Sequence, residues 1–163
     1  WLNSQYIHNL PVAELTDRLI PDWQEAGYEF DPESDRPWLE QLTALIGPSL
    51  TRLKDAVEMA SGFFAPAVTP DEEAQRQLEQ EGAIAVLEAV RDKLEPDQPL
   101  DADGVKAIVK TVTKETKLKK GLIMRSLRAA LTGAIHGPDL VESWVLLHQR
   151  GVDLTRLQQI LDR

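Results

Sequence analysis

Cysteine is absent from the 163 residues, which excludes a disulfide framework, a thiolate metal site and a cysteine nucleophile. No apolar run approaches the roughly 18 residues of a membrane span. The chain opens on Trp1 without a basic n-region or a signal-like apolar segment, and it reads as an internal or C-terminal piece of a larger cytosolic protein. Histidine is scarce: His8, His136 and His148 lack metal-ligand spacing, and there is neither an HExxH motif nor a glycine-rich phosphate loop. The stretch DADG at 101–104 has the middle of a calcium loop. Pro99 stands where the first ligand belongs and Lys110 where the closing glutamate belongs, so a helix cap is the better reading. With no nucleophile–base pair in view, the sequence assigns this chain no catalytic residue and no metal ligand.

What is present is helical periodicity. Hydrophobic residues make up 42% of the chain, enough for a core, and no segment shows sustained strand alternation. The pattern predicts an all-α fold of nine to ten helices in two consecutive small bundles, 1–66 and 67–163, joined at APAVTP (65–70). In the first, Pro11 fits the start of a helix over 11–24 carrying Leu15, Leu19 and Trp23. Trp38, Leu42, Leu45 and Ile46 mark a second helix, and Pro48 can start a third over 48–64, with Leu50, Leu53, Val57 and Ala60. In the second, Thr69 can cap a helix that begins at Pro70. Gly82 separates it from 83–94, with Ile84, Leu87 and Val90 on the buried side. Asp101 or Asp103 caps 104–117, and three helices follow near 120–133, 139–149 and 153–162.

Charge is distributed unevenly. The formal net charge is −9, yet residues 105–128 hold Lys106, Lys110, Lys114, Lys117, Lys119, Lys120, Arg125 and Arg128 against the single acid Glu115. Such asymmetry fits one face that meets a polyanion. On a wheel of about 100° per residue, Val105, Ile108, Val109 and Val112 gather on one side of 104–117. Lys106, Lys110, Lys114 and Lys117 gather roughly 145° away. A solvated lysine face is the ordinary alternative. In the next helix Ile123, Leu127, Ala130, Leu131 and Ala134 form the buried stripe, with Arg125, Arg128 and Thr132 opposite. An arginine fork there can read a base edge or clamp a phosphate, and its bland role is a surface ion pair of little worth. The loop GAIHGPDL that follows has two glycines that permit close backbone approach, and it also serves as a C-cap and turn before Pro138 opens the next helix.

The segments WLNSQYI (1–7), LRAALTG (127–133) and GPDL (137–140), with KKG (119–121) and Arg156-Leu157, resemble the C-terminal part of bacterial glutamyl-tRNA synthetases. The similarity runs through nearly the whole chain in order. The IHG at 135–137 is not that family's catalytic HIGH motif, which belongs to an N-terminal catalytic domain. The resemblance implies an anticodon-binding region within an enzyme that joins glutamate to tRNA-Glu. ATP and magnesium belong to the missing catalytic domain, and this piece is expected to be inactive alone. By motif position, Arg128 matches an arginine that contacts an anticodon base, and Gly137, Pro138 and Leu140 match the loop that cradles another; Arg125 and Thr132 join them by sharing the face. The lysines around 117–120 then neutralise backbone phosphates, and those on the preceding helix are grouped with them.

One position departs from the family pattern. Discriminating members carry an arginine before a proline at a corner of the first bundle, where it reads the third anticodon base. Motif order places Gly47 there, before Pro48. Glycine has no side-chain donor, so the resemblance implies a non-discriminating parent that also accepts tRNA-Gln. The expected partners are therefore tRNA-Glu and tRNA-Gln, with no DNA and no membrane, for a cytoplasmic monomer. The competing reading is a helical protein-interaction adaptor without RNA binding, using apolar patches around Trp38, Phe63 and Phe64.

Overall fold

The computed structural model describes residues 4–163, with the side chain of Ser4 left aside; Trp1–Asn3, the start of the WLNSQYI segment, lie outside the described residues. Ten α-helices, one short 3-10 turn and no strand are found among the described residues, so the all-α expectation holds. The chain divides into two compact units, Trp1–Ala65 and Pro66–Arg163.

The first unit contains α1 (Ser4–Asn9), α2 (Val12–Glu25), α3 (Arg36–Ile46), a 3-10 turn (Gly47–Ser49) and α4 (Asp55–Phe64). Leu15, Leu19 and Trp23 of α2 are buried with Trp38, Leu39, Leu42 and Ile46 of α3. Phe64 is the hub: the rings of Trp23, Tyr28, Phe30 and Trp38 lie 4.8–5.4 Å from it, centre to centre. The polar tips of this cluster are satisfied by α4, since Trp23 Nε1 donates to the Ala56 carbonyl at 3.1 Å and the Tyr28 hydroxyl to that of Val57 at 2.6 Å. Trp38, Phe63 and Phe64 are each 6% exposed, so the aromatics that an adaptor would have needed on its surface form the core instead. The single helix expected over 48–64 is broken. Leu50 turns extended (ψ 132°) after the Pro48 turn. The Asp55 carboxylate accepts from the Thr51 hydroxyl and the Arg52 amide at 2.7 and 3.1 Å. A side chain that ties up the preceding turn competes with helical propagation through it.

The second unit comprises α5 (Glu72–Leu78), α6 (Ala83–Lys93), α7 (Ala102–Thr116), α8 (Lys120–Thr132), α9 (Leu140–Gln149) and α10 (Asp153–Leu161). Its centre is α8, which packs against α5, α6, α7, α9 and α10. That demand explains the small residues along α8: Ser126, Ala129 and Ala130 are buried beside Ile123, Leu127 and Leu131, and Ser126 receives a hydrogen bond from Gln77 at 3.2 Å. Helix α5 is capped by Asp71, which accepts from the Ala74 amide, and not by Thr69. The Thr69 carbonyl instead lies against Gly133, where a Cβ would sit 2.9 Å from it. Asp101 caps α7 through the Gly104 amide at 2.8 Å. Ile84, expected in the core, is 42% exposed because Ala83, Val86, Leu87 and Val90 make the buried stripe of α6. Helix α8 stops at Thr132, so Ala134 falls outside its stripe. Pro138 precedes the cap of α9, which is Asp139.

Candidate nucleic-acid interface

The corner between α8 and α9 is set by backbone geometry. Gly133 closes α8 at φ +78°, a left-handed conformation that disfavours any side chain, and its carbonyl accepts from the Asp71 amide at 2.8 Å. Gly137 follows at φ +154°, and a Cβ there would lie 3.4 Å from Nη1 of Arg128. That nitrogen donates to the Pro138 carbonyl at 2.7 Å. The half-buried guanidinium is thus held against the loop, with the Asp139 carboxylate acting on it. Burial pulls its pKa below the ordinary arginine value and the Asp139 charge partly offsets this; it stays a cation at neutral pH. Among the described residues no other hydrogen bond engages it, so most of its five N–H donors remain for a ligand.

Other residues expected at the corner have distinct surroundings. The Thr132 hydroxyl donates to the Arg128 carbonyl at 2.7 Å and lies 3.2–3.3 Å from the carbonyl and amide of Ala134, so it fastens the turn. Leu140 is buried, 3% exposed, and its side chain belongs to the core. Arg125 is exposed and folds back along its own helix, where a Cβ on Gly121 would be 3.4 Å from its Nη1. The two arginines therefore part company: Arg128 is fixed at the corner and Arg125 lies over the first turn of α8.

Lys106, Lys110, Lys114, Lys117, Lys119 and Lys120 are all exposed, and none forms an ion pair among the described residues. The one acid in this stretch, Glu115, is neutralised from outside it by Lys93 at 2.6 Å. Lys117 ends α7 at φ +59°, the only non-glycine residue with positive φ among those described. The turn at Lys117 brings α8 back along α7, so Lys106, Lys110 and Lys114 line one groove with Lys120. Gly47 belongs to the first unit. It is buried, has helical backbone angles (φ −51°, ψ −48°), and a Cβ added to it would meet Leu15 Cδ2 at 3.4 Å, an ordinary contact.

Two buried polar groups that the sequence did not single out as site residues brace the second unit, the first of them beside the corner. Arg156, 1% exposed, donates through Nη1 to the Leu131 carbonyl at 2.7 Å, near the C-terminus of α8. Burial, together with the neighbouring Arg150 charge and against that of Asp153, lowers its pKa to about 10. His148 lies between the Asp153 carboxylate (2.8 Å from Nδ1) and the Gln98 carbonyl (2.6 Å from Nε2), while Trp144 Nε1 donates to the same carboxylate at 3.1 Å. Two acceptors, one at each ring nitrogen, suit the doubly protonated imidazolium. Burial alone lowers the His148 pKa, but the Gln98 and Asp153 acceptors outweigh it and leave it raised. Only folding places a distant carbonyl opposite an imidazole, so no local sequence signal marks this network.

A helical unit with an unneutralised cationic face beside a glycine–proline corner is of the class suited to a flexible polyanion. Residues 14–161 match the model of the anticodon binding domain family, and the chain belongs to that family. It is 57% identical over 161 residues to the glutamate–tRNA ligase of Nostoc punctiforme, covering 99% of this chain and 34% of that protein. It is 55% identical over 159 residues to the glutamate–tRNA ligase of Trichodesmium erythraeum, covering 98% and 18%. The chain thus spans about a third of the first relative's length and less than a fifth of the second's. Its fold is shared with a crystal structure of a glutamate tRNA ligase from Elizabethkingia meningosepticum in complex with its amino acid. That likeness has a TM-score of 0.84 at 18% identity and covers 98% of this chain and 31% of the other.

Proposed function

We propose that this chain is the anticodon-recognition module of a glutamate–tRNA ligase whose remaining parts attach glutamate to tRNA-Glu using ATP. The observation that carries this reading is the Arg128 guanidinium, fixed at 2.7 Å on the Pro138 carbonyl with donors to spare, next to lysines without ion-pair partners. Unstacked loop bases held by side chains and backbone are the usual target of sequence-specific RNA readers. Arg128 reads a base, Gly137, Pro138 and Leu140 shape the loop against it, and the lysines anchor phosphates. ATP and magnesium are cofactors proposed for the parent enzyme as a whole. Their chemistry is assigned to the parent enzyme's other domains. No helix among the described residues is long and apolar enough to cross a membrane, and the working state proposed is a cytoplasmic monomer.

The test is binding of a tRNA-Glu anticodon stem-loop, measured by fluorescence anisotropy across a salt series. Affinity should fall steeply with salt, with a slope near −0.7 per neutralised phosphate for single-stranded contacts. A chain that ignores the hairpin at low salt while a protein partner is captured would sink the reading in favour of the adaptor.

Acceptance of tRNA-Gln is the finer part of the proposal and rests on Gly47. With only hydrogen on its Cα, this residue offers no donor to separate C from G at the third anticodon position. Gly47→Arg should create a preference of about 1–3 kcal/mol between the two stem-loops, the worth of one bidentate contact. Equal binding of both by Gly47→Arg, or strong discrimination already present in the unsubstituted chain, removes Gly47 from the account.

A further inference from the structure

A groove of about 520 Å³ runs between α7, α8 and α9, and the contacts proposed above use its lysines but leave its floor unassigned. Its rim is cationic: Lys106, Lys110 and Lys114 of α7 and Lys120 of α8 stand around it. Its floor is not, since Val109, Met124 and Val141 supply apolar surface between the lysine stems. The Thr113 hydroxyl, also in the lining, donates to the Val109 carbonyl at 2.7 Å. Apart from the ammonium groups, then, no side chain of the groove holds a free donor toward it.

We infer that this groove seats one further unstacked nucleotide of the RNA loop, outside the anticodon triplet, with its base on Met124 and Val141 and its flanking phosphates on the lysines. Three features select that occupant. The lysines on α7 repeat every four residues, about 6 Å of helix rise, and present a row of charges instead of a single anion site. The floor between them is apolar and able to cover the face of a planar ring, and a methionine thioether adapts to such a ring. The groove also draws on the same two helices, α8 and α9, that meet at the Arg128 corner. Met124 lies one helical turn before Arg128, and Val141 follows directly on the loop that Arg128 holds. A polymer with alternating phosphates and flat apolar faces matches all three, and stacking of that kind tolerates any base. The groove therefore adds affinity without sequence selection, while Arg128 selects.

This inference rests on the stem-loop reading above and can fail separately from it. The experiment is an abasic scan of the anticodon stem-loop, in which each loop nucleotide loses its base in turn, with the unsubstituted chain, Met124→Ala and Val141→Ala. Expected is one position outside the triplet at which base removal weakens binding roughly five- to tenfold. There, exchange of one base for another should cost less than about twofold, and Met124→Ala should add nothing further. The scan leaves the protein untouched, so its result does not depend on the variants folding. If the hairpin binds and no such position exists, or if the Met124→Ala loss adds in full to every abasic loss, the groove is not a base seat. If poly-glutamate binds more tightly than the hairpin and loses affinity in Met124→Ala, the groove serves an acidic protein and the inference is overturned. If the hairpin does not bind at all, both readings fall together.

Discussion

Replacing Arg128 by lysine and by alanine separates reading from charge. The guanidinium makes one charge-assisted hydrogen bond, to the Pro138 carbonyl at 2.7 Å. Such bonds contribute about 1.5–3 kcal/mol at most. Arg128 is only half-buried and water can reach the vacated carbonyl, so Arg128→Ala should lower unfolding free energy by about 1 kcal/mol, read from urea denaturation. Binding should suffer more. A fork aimed at a base edge is worth about 1–3 kcal/mol, and loosening of the Gly137-Pro138 loop adds to that, so a loss of about tenfold or more is expected. Arg128→Lys is the sharper probe because it keeps the charge and discards the planar fork. Its salt dependence should match that of the unsubstituted chain while its affinity falls nearly as far as in Arg128→Ala. The reasoning is refuted if Arg128→Lys binds within about twofold of the unsubstituted chain. It is equally refuted if Arg128→Ala flattens the salt slope by about 0.7, the signature of one lost single-strand phosphate contact.

The remaining predictions concern the frame around this corner. Gly133→Ala forces a side chain into a left-handed backbone and sets its Cβ 2.9 Å from the Thr69 carbonyl; a destabilisation of about 2–3 kcal/mol in denaturant is expected, and one below about 0.5 kcal/mol contradicts the geometry. Lys117→Gly relieves a left-handed residue at the end of α7 and should raise stability by about 0.5–1 kcal/mol while weakening hairpin binding; unchanged binding would confine Lys117 to a structural role. The raised pKa of His148 means that its contribution is fully present below the ordinary histidine value of about 6.5 and is lost as pH rises through the folded value. Unfolding free energy should therefore fall on going from neutral to mildly alkaline pH, and His148→Gln should remove that fall; a slope that persists in the variant assigns it to another group.

The helical frame was legible because burial follows the helical period. Leu15, Leu19 and Trp23 of α2, and Val105, Val109 and Val112 of α7, are buried as their spacing demanded. Where expectation failed, a short-range competition or a small side chain decided the outcome. Thr69 and Asp71 were both able to cap α5; Asp71 does so because its side chain reaches the Ala74 amide, while the Thr69 carbonyl packs on Gly133. Ile84 is large and apolar, but α6 buries Ala83, Val86, Leu87 and Val90, which form the helical stripe without it. The helix expected from Pro48 failed because nothing in its periodicity registers the Asp55 carboxylate holding Thr51 and Arg52 in a turn.

The candidate site was legible in kind but not in arrangement, for a related reason. A wheel orders residues around one helix, and it correctly set Lys106, Lys110 and Lys114 apart from the valines that fill the core. It has no means of showing that the turn at Lys117 lays α8 beside α7, which makes those lysines the rim of a groove floored by Met124 and Val141. The same wheel put Arg125 and Arg128 on one face as equals. Their difference arises elsewhere: the Pro138 carbonyl, ten residues along the chain from Arg128, captures one fork and leaves the other over Gly121. Captured and free cations do different work. A fork held in one orientation loses little entropy on meeting a base and can select by geometry. A freely moving lysine attracts any phosphate within a Debye length and selects nothing. Specificity in this unit should therefore track the few groups that the loop backbone holds still, and affinity the many that it leaves free. On that division, a substitution that tightens an exposed lysine into an ion pair, such as Thr113→Glu beside Lys110, should weaken all hairpins alike and leave their ranking unchanged.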